Sequence, residues 1–470
     1  MSRYVSWHVL LIVAVPLLTH AKTARTAERR PNILFIAVDD LRPELNCYGE
    51  HHIHSPNIDE LAATGRLFER AYCQQALCNP SRSSLMTGMR PESIGVTGNH
   101  SHFRSINPTI VTLPQHFKQN GYHTAAIGKI YHGVFPDGAS NTKWDTMGDP
   151  PSWSVPAIRF GPRYYYTEEG VRAAQHMYRQ IYKPRNPGPH DWTTKLVFGL
   201  ATESPDVSDN ALYDGQVADA AVDTLQRLAT TDKPFFLALG FIKPHSPYVA
   251  PKKYFDLYSS VALSSHSNLP VNTPPIAGHN SGELRRYTDQ PDRGTIPEEQ
   301  QRRVRHAYYA CISYIDAQIG RVLQVLHHSG LSNNTIVVLY GDHGYHLGEL
   351  GLWGKTTNFE LDTRVPLIVR VPGMGAAGQP TRSLVELVDL FPTLTELAGL
   401  AIPAQIEGRS FATILGDPTH TTKRFALSQH PRGRGLMGYS LRTARHRLTQ
   451  WVHRASATVQ ETELYDYANG

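Results

Sequence analysis

The sequence predicts an α/β fold built on a large, mostly parallel sheet flanked by helices, with a smaller antiparallel sheet toward the C-terminal end. Three observations predict it. Continuous apolar runs recur at Asn32–Val38, Pro234–Phe241 and Thr335–Tyr340, the pattern of strands buried on both faces, and His123–Ile127 is strand-like in the same grammar. Helical segments separate these runs. Beyond Gly399 and Gly408 the pattern changes to short strand signals at Phe425–Gln429, Met437–Thr443 and Arg447–Val452, the last two joined as a hairpin. At 470 residues the chain is too long for one small module. The expected division is a leader over 1–21, the α/β domain over 22–400 and the smaller unit over 401–470.

The N-terminus carries Arg3, an apolar run from Val9 to Leu18 and Thr19-His20-Ala21, which together read as a secretory signal peptide. The run is about half the length that spans a bilayer, so export to the periplasm or the medium is expected rather than a membrane anchor. After the first strand, Ser55-Pro56 opens a helix that continues with helical spacing from Ile58 to Ala63. Leu113–Asn120 is a short helix stopped by Gly121, Asp214–Leu228 is a longer one, and an amphipathic helix runs from about Gln300 to His328. Two irregular, Pro-rich stretches, 136–215 and 255–298, interrupt the grammar and are expected to form walls or lids. Lys+Arg 46 against Asp+Glu 41 gives a net charge of only +5 without a basic block, which argues against a nucleic-acid partner.

The polar residues fall in one informative place. Each of these runs is followed at its C-terminal end by charged or imidazole side chains: Asp39 and Asp40, Lys129 and His132, His245, then Asp342 and His343. Open α/β sheets bind ligands at that edge, so segments some 300 residues apart should meet at one rim. The 24 histidines fit acid–base or metal work there.

Four cysteines, Cys47, Cys73, Cys78 and Cys311, allow two disulfides in an exported chain, but four is few for this length. Cys78 opens the run Cys78-Asn79-Pro80-Ser81-Arg82, with Pro80 in a first helical turn. Its side chain should sit at the positive end of a helix with Arg82 one turn on. A disulfide partner, a thiolate nucleophile or something more unusual all fit this local physics.

With C-x-P-S-R the chain resembles type I sulfatases of the alkaline-phosphatase-like superfamily, from Pro31 to about Thr443. It is most similar to the iduronate-2-sulfatase type, on Asp39-Asp40, Gly128-Lys-Ile-Tyr-His132, Lys243-Pro-His-Ser-Pro-Tyr248, Gly341-Asp-His-Gly-Tyr-His-Leu-Gly-Glu349 and Trp353-Gly-Lys355. The segment Val388-Asp-Leu-Phe-Pro-Thr393 fits the same family. The resemblance implies an exported sulfatase acting on a sulfated polysaccharide or its oligosaccharides, with 2-O-sulfated uronate as one such substrate. It also implies that a separate maturation enzyme oxidises Cys78 to Cα-formylglycine, and that the family continues past Glu463-Leu464-Tyr465-Asp466 into a short helix and tail.

What the resemblance implies for the site is specific. Asp39, Asp40, Asp342 and His343, with the oxygen made at position 78, hold a divalent cation, Ca²⁺ in the family, although a nitrogen ligand leaves Mg²⁺, Mn²⁺ or Zn²⁺ open. The hydrated aldehyde attacks sulfur, and loss of a proton from its second hydroxyl later expels sulfate. Arg82 holds the diol and metal-side charge, Lys129 and Lys355 contact sulfate oxygens, His245 protonates the leaving oxygen and His132 acts as base. His346 and Glu349 are candidates to support these groups, and Arg104, Arg159 and Arg163 to pair with a uronate carboxylate. Two other readings stay open: a phosphomonoester, phosphodiester or phosphonate hydrolase on the same fold, and an idle metal-dependent glycan-binding protein if Cys78 stays a thiol.

Overall fold

The computed structural model describes residues 30–133, 148–161, 163–185, 197–258 and 268–468. The expected signal peptide lies outside the described residues, as does part of each irregular stretch. No helix among the described residues is long and apolar enough to cross a membrane.

The central sheet has six strands. In chain order they are β1 (Asn32–Val38), β2 (Arg66–Leu67), β3 (His123–Gly128), β4 (Phe235–Phe241), β5 (Thr335–Gly341) and β6 (Leu367–Arg370), arranged β2-β6-β5-β1-β4-β3. β1, β3, β4 and β5 are parallel, and these are the four strands expected from the sequence. β6 and β2 extend the sheet antiparallel on one side. Every residue of β1, β4 and β5 is buried. Alternate residues serve opposite faces: Leu34, Ile36 and Val38 enter one core cluster and Ile33, Phe35 and Ala37 the other.

Helices cover both faces. α1 (Pro56–Thr64), α2 (Cys78–Thr87), α3 (Leu113–Gln119), α4 (Tyr213–Leu228), α5 (Glu298–His328) and α6 (Leu390–Leu397) are the ones that matter here. Val217, Ala221 and Leu225 of α4 and Val304, Tyr308 and Ile315 of α5 pack on the face of Leu34 and Ile36. Leu85 of α2, Phe117 of α3 and Leu390 and Leu394 of α6 pack on the other. α3 begins with a capping box from Thr112 and Gln115 and ends before Gly121, whose φ of 91° lets the chain reverse into β3.

A separate antiparallel sheet closes the chain, with strands β7 (Ala426–Arg432), β8 (Leu436–Arg442), β9 (His446–His453) and β10 (Thr458–Asp466) in sequential order. β8 and β9 form the expected hairpin. β7 lies against the loop before α2: Gln429 N–H donates to the Gln74 carbonyl at 2.8 Å, and the Ser428 hydroxyl to that of Cys73 at 2.6 Å.

Candidate active site

The C-terminal ends of β1, β3, β4 and β5 converge on one rim, and the helix that begins at Cys78 points its first turn into it. Leu77 is extended, Cys78 opens α2, and Gly88 ends it at φ 66°. All ten residues of the helix are buried, so the positive end of its dipole acts in a desolvated setting.

The acidic pair depends on an unusual backbone. Consecutive strand residues point to opposite faces, yet Asp39 and Asp40 both serve the rim because Asp40 takes φ 58° and breaks the alternation. Two long-range bonds hold that turn. The Asp40 N–H donates to Asp342 Oδ1 at 3.0 Å, and its carbonyl accepts from the Tyr308 hydroxyl of α5 at 2.7 Å. Lys355 is presented similarly, between Gly354 at φ 104° and Thr356 at φ 87°, a costly conformation for a β-branched residue.

Asp39, Asp40, Cys78 and His343 each offer a ligand atom within 4.8 Å of the other three, and all four are buried. Asp342 borders them, its Oδ1 lying 3.6 Å from His343 Nε2. Arg82 pairs with both outer acids, Nη2 to Asp39 Oδ1 at 3.1 Å and Nε to Asp342 Oδ2 at 2.8 Å, and Nη1 donates to the carbonyls of Lys129 and Ile130. Its hydrogen bonds are thus to carboxylates and backbone. Lys129 Nζ pairs with Asp39 Oδ2. Lys355 Nζ reaches Asp40 Oδ1 at 2.8 Å and Cys78 Sγ at 3.8 Å.

Both histidines at the heart of the site have one ring nitrogen committed to backbone. His343 Nδ1 donates to the Gly344 carbonyl at 2.9 Å, which turns Nε2 toward Cys78 Sγ and Asp40 Oδ1, each at 3.3 Å. His245 Nδ1 donates to the Ser246 carbonyl at 2.7 Å, and Nε2 lies 4.0 Å from Asp40 Oδ2. The His245 loop is braced from beneath. Asp214 of α4 accepts from the N–H groups of Ile242 and Lys243, while Lys243 Nζ donates to the carbonyls of His245 and Pro247 at 2.9 and 2.6 Å. His132 interacts with Cys78 from the β3 side.

Burial and charge divide the titrating groups. Burial raises Asp40, and it pushes Asp342 up to about 6, against the pull of His343 and Arg82. Burial and the charge of Cys78 also press on Asp39, but Lys129 and Arg82 prevail and hold it well below the usual carboxylate range. Burial opposes ionisation of Cys78, yet Lys129, Lys355 and His343 bring its thiol well below the ordinary value. The other three cysteines go the opposite way, Cys311 up to about 12 chiefly by burial, and all four are free of disulfides. The two-disulfide reading therefore fails, and Cys78 stands alone as the activated thiol.

The donor set fits a hard divalent cation. Buried carboxylate oxygens predominate, the one imidazole presents Nε2, and the surroundings attract positive charge. Against burial, Asp342, Cys78 and Asp40 push His343 up to about 10, the same attraction that a bound cation would satisfy.

The comparisons with known proteins agree with this geometry. The family described as Sulfatase matches residues 31–400, and N-sulphoglucosamine sulphohydrolase, C-terminal, matches 348–470. The chain belongs to the sulfatase family. It is a sulfuric ester hydrolase whose C-x-P-S-R cysteine and acidic residues share one buried cluster. Iduronate 2-sulfatases of Mus musculus and Homo sapiens are each 34% identical, over 96% of this chain and 90% of theirs. Among solved structures, a phosphonate monoester hydrolase from Silicibacter pomeroyi aligns with TM-score 0.71 at 22% identity, covering 94% of this chain and 90% of that one. A 2-O GAG sulfatase aligns with TM-score 0.66 at 23% identity, over 93% and 85%. At such identities these two likenesses speak for the fold.

In this sulfatase every site residue expected from sequence reaches the rim: Asp39, Asp40, Cys78, Arg82, Lys129, His132, His245, Asp342, His343 and Lys355. The supporting candidates fare differently. His346 Nδ1 pairs with Asp362 Oδ1 at 2.5 Å, and Glu349 joins Arg42 to Arg305, which buttresses the loop after Asp40. Arg104 is consumed by Asp149, Gln115 and the carbonyls of Pro108 and Ile110, so it is structural. Arg163 lies over the Tyr166 ring. Sequence reasoning missed Glu283, whose carboxylate lies 3.4 Å from Lys355 Nζ and 3.7 Å from His245 Nε2. It sits in the second irregular stretch, with no strand end or motif to signal it.

Proposed function

We propose that this sulfatase cleaves sulfate esters of a sulfated polysaccharide or its oligosaccharides, 2-O-sulfated uronate among them, and that it works outside the cytoplasm. The observation that carries the reading is the setting of Cys78: a thiol of depressed pKa at a helix N-terminus, between Lys355 and His343 and beside Asp40. The mouse and human relatives named iduronate 2-sulfatase support the uronate, and the 2-O GAG sulfatase supports a glycan. The expected division at residue 400 places all the site residues named above in the larger domain.

Asp39, Asp40, Asp342 and His343 would hold a divalent cation, Ca²⁺ by family, which supplies Lewis-acid charge beside position 78. Conversion of Cys78 to formylglycine by a maturation enzyme would supply an aldehyde whose hydrate carries two hydroxyl groups, the second of which an ordinary serine or cysteine lacks. Around that position Lys129 and Lys355 bind the sulfate oxygens and neutralise them before attack. Arg82 fixes the spacing of Asp39 and Asp342. His245, raised by Asp40 against the effect of burial, carries a proton on Nε2 for the leaving oxygen. His132, lowered by burial, is neutral and accepts a proton next to position 78.

The experiment is turnover of a 2-O-sulfated uronate oligosaccharide against the desulfated product, run beside paired aryl sulfate, phosphate and phosphonate esters. Preference for sulfate is expected. The shared fold of the phosphonate monoester hydrolase makes phosphonate the second reading, and faster phosphonate turnover would select it.

A further inference from the structure

Glu283 is a carboxylate in a site that must bind an anion, so its presence needs a reason. Its Oε1 lies 3.4 Å from Lys355 Nζ and 3.7 Å from His245 Nε2, and a carboxylate with only these two contacts keeps acceptor capacity for a further donor. Exposure tells from which side a substrate arrives. Asp40 and Lys355 side chains are 0% and 4% exposed, whereas His245 is 17% and Glu283 26% exposed. The open side of the cluster is therefore the side of the imidazole that faces the leaving group, and Glu283 is the acid that group meets. A carboxylate there cannot touch sulfate oxygens without repulsion; it can accept a hydrogen bond from a neutral donor next to the ester.

We propose that Glu283 is a specificity-determining residue that accepts a hydrogen bond from the hydroxyl adjacent to the sulfated carbon, so that the enzyme selects monosulfated vicinal diols. This rests on the sulfatase reading above and narrows its substrate. The segment that carries Glu283 is fixed for the purpose. The Ser281 hydroxyl accepts from the Trp353 N–H at 3.0 Å, two residues before Lys355. Arg432 of β7 donates to the carbonyls of Ile276, Ala277 and Gly278, at 3.0 to 3.4 Å, so the C-terminal sheet helps to place the acid.

The test uses the full chain with converted position 78, verified by peptide mass. The substrates are a 2-O-sulfated uronate pyranoside with its 3-hydroxyl and the 3-deoxy counterpart; catechol monosulfate and phenyl sulfate repeat the comparison without a sugar. The wild-type ratio of kcat/KM, hydroxyl over deoxy, should be about tenfold or more, the range of a hydrogen bond to a charged group. In Glu283→Ala it should fall toward one, and in Glu283→Gln, which keeps a neutral acceptor of the same shape, to an intermediate value. A ratio unchanged in both variants while both substrates slow alike would overturn the proposal and leave Glu283 as a brace for Lys355 and His245. Wild-type enzyme that turns over phosphonate and none of these sulfates would overturn the sulfate reading and this one together, a result distinct from an unchanged ratio.

Discussion

Two buried ionic clusters lie at opposite ends of one loop. At the rim, Asp39, Asp40, Asp342 and Cys78 face Arg82, Lys129, Lys355 and three histidines, and burial still pushes Asp40 and Asp342 toward protonation. Where the C-terminal sheet docks, one carboxylate, Glu360, meets Arg442 Nε at 2.9 Å and Arg447 Nη2 at 2.7 Å, and accepts from the Tyr72 hydroxyl at 2.8 Å. Burial raises Glu360 too, but Arg447 and Arg442 override it and hold it down to about 2. The docking cluster settles into full ionisation, whereas the rim keeps acids at odds with one another. A cluster that stabilises a fold resolves its charges; one that does chemistry holds them in opposition for a ligand to relieve.

The largest effect is expected at Cys78. Cys78→Ala should lower sulfate ester turnover on the order of 10⁵-fold with melting little changed, because a small buried side chain is lost from a site not tuned for stability. Next, His245→Gln should slow alkyl sulfates by about 10² to 10⁴-fold and 4-nitrophenyl sulfate far less, since a nitrophenolate leaves without a proton; equal losses would remove His245 as the acid.

At the docking cluster the order reverses. Glu360→Gln strands two buried guanidinium groups and should cost about 3 kcal/mol of stability in denaturant titration, with kcat of the folded enzyme preserved. Its pH dependence follows from the sign of the shift. A carboxyl held at about 2 when folded and 4.5 when free stabilises the fold above pH 4.5, and that contribution fades as pH falls through about 2. The gap between wild type and Glu360→Gln should therefore be level above pH 4.5 and shrink below it. Smallest of all is the exposed pair of Arg445 and Asp466 on the same sheet, 60% and 46% exposed, where Arg445→Ala should leave the melting temperature unchanged within error.

How much was legible in the sequence follows the same division. Three of the four parallel strands were readable because strands buried on both faces are apolar almost throughout, β3 because its short strand-like run follows a helix stopped by Gly121, and the rim because each strand ended in charge. The antiparallel additions β2 and β6 were not, since two and four residues carry no periodicity. Cys78 and its ten-residue helix announced themselves through C-x-P-S-R. Glu283 did not, because its place depends on Arg432 holding Ile276 and Trp353 holding Ser281, contacts made across 156 and 72 residues of chain that no local pattern encodes. The left-handed turn at Asp40 was equally hidden, its cause being Asp342 and Tyr308 far along the chain.

The most direct measurement is the mass of the proteolytic peptide that contains Cys78, taken from enzyme preparations of graded activity. A peptide lighter than the thiol form is expected, in a fraction proportional to sulfate ester turnover, whereas the sulfenic, sulfinic and sulfonic acids of ordinary oxidation all add mass. Full turnover from protein whose position 78 is entirely unmodified cysteine would contradict it.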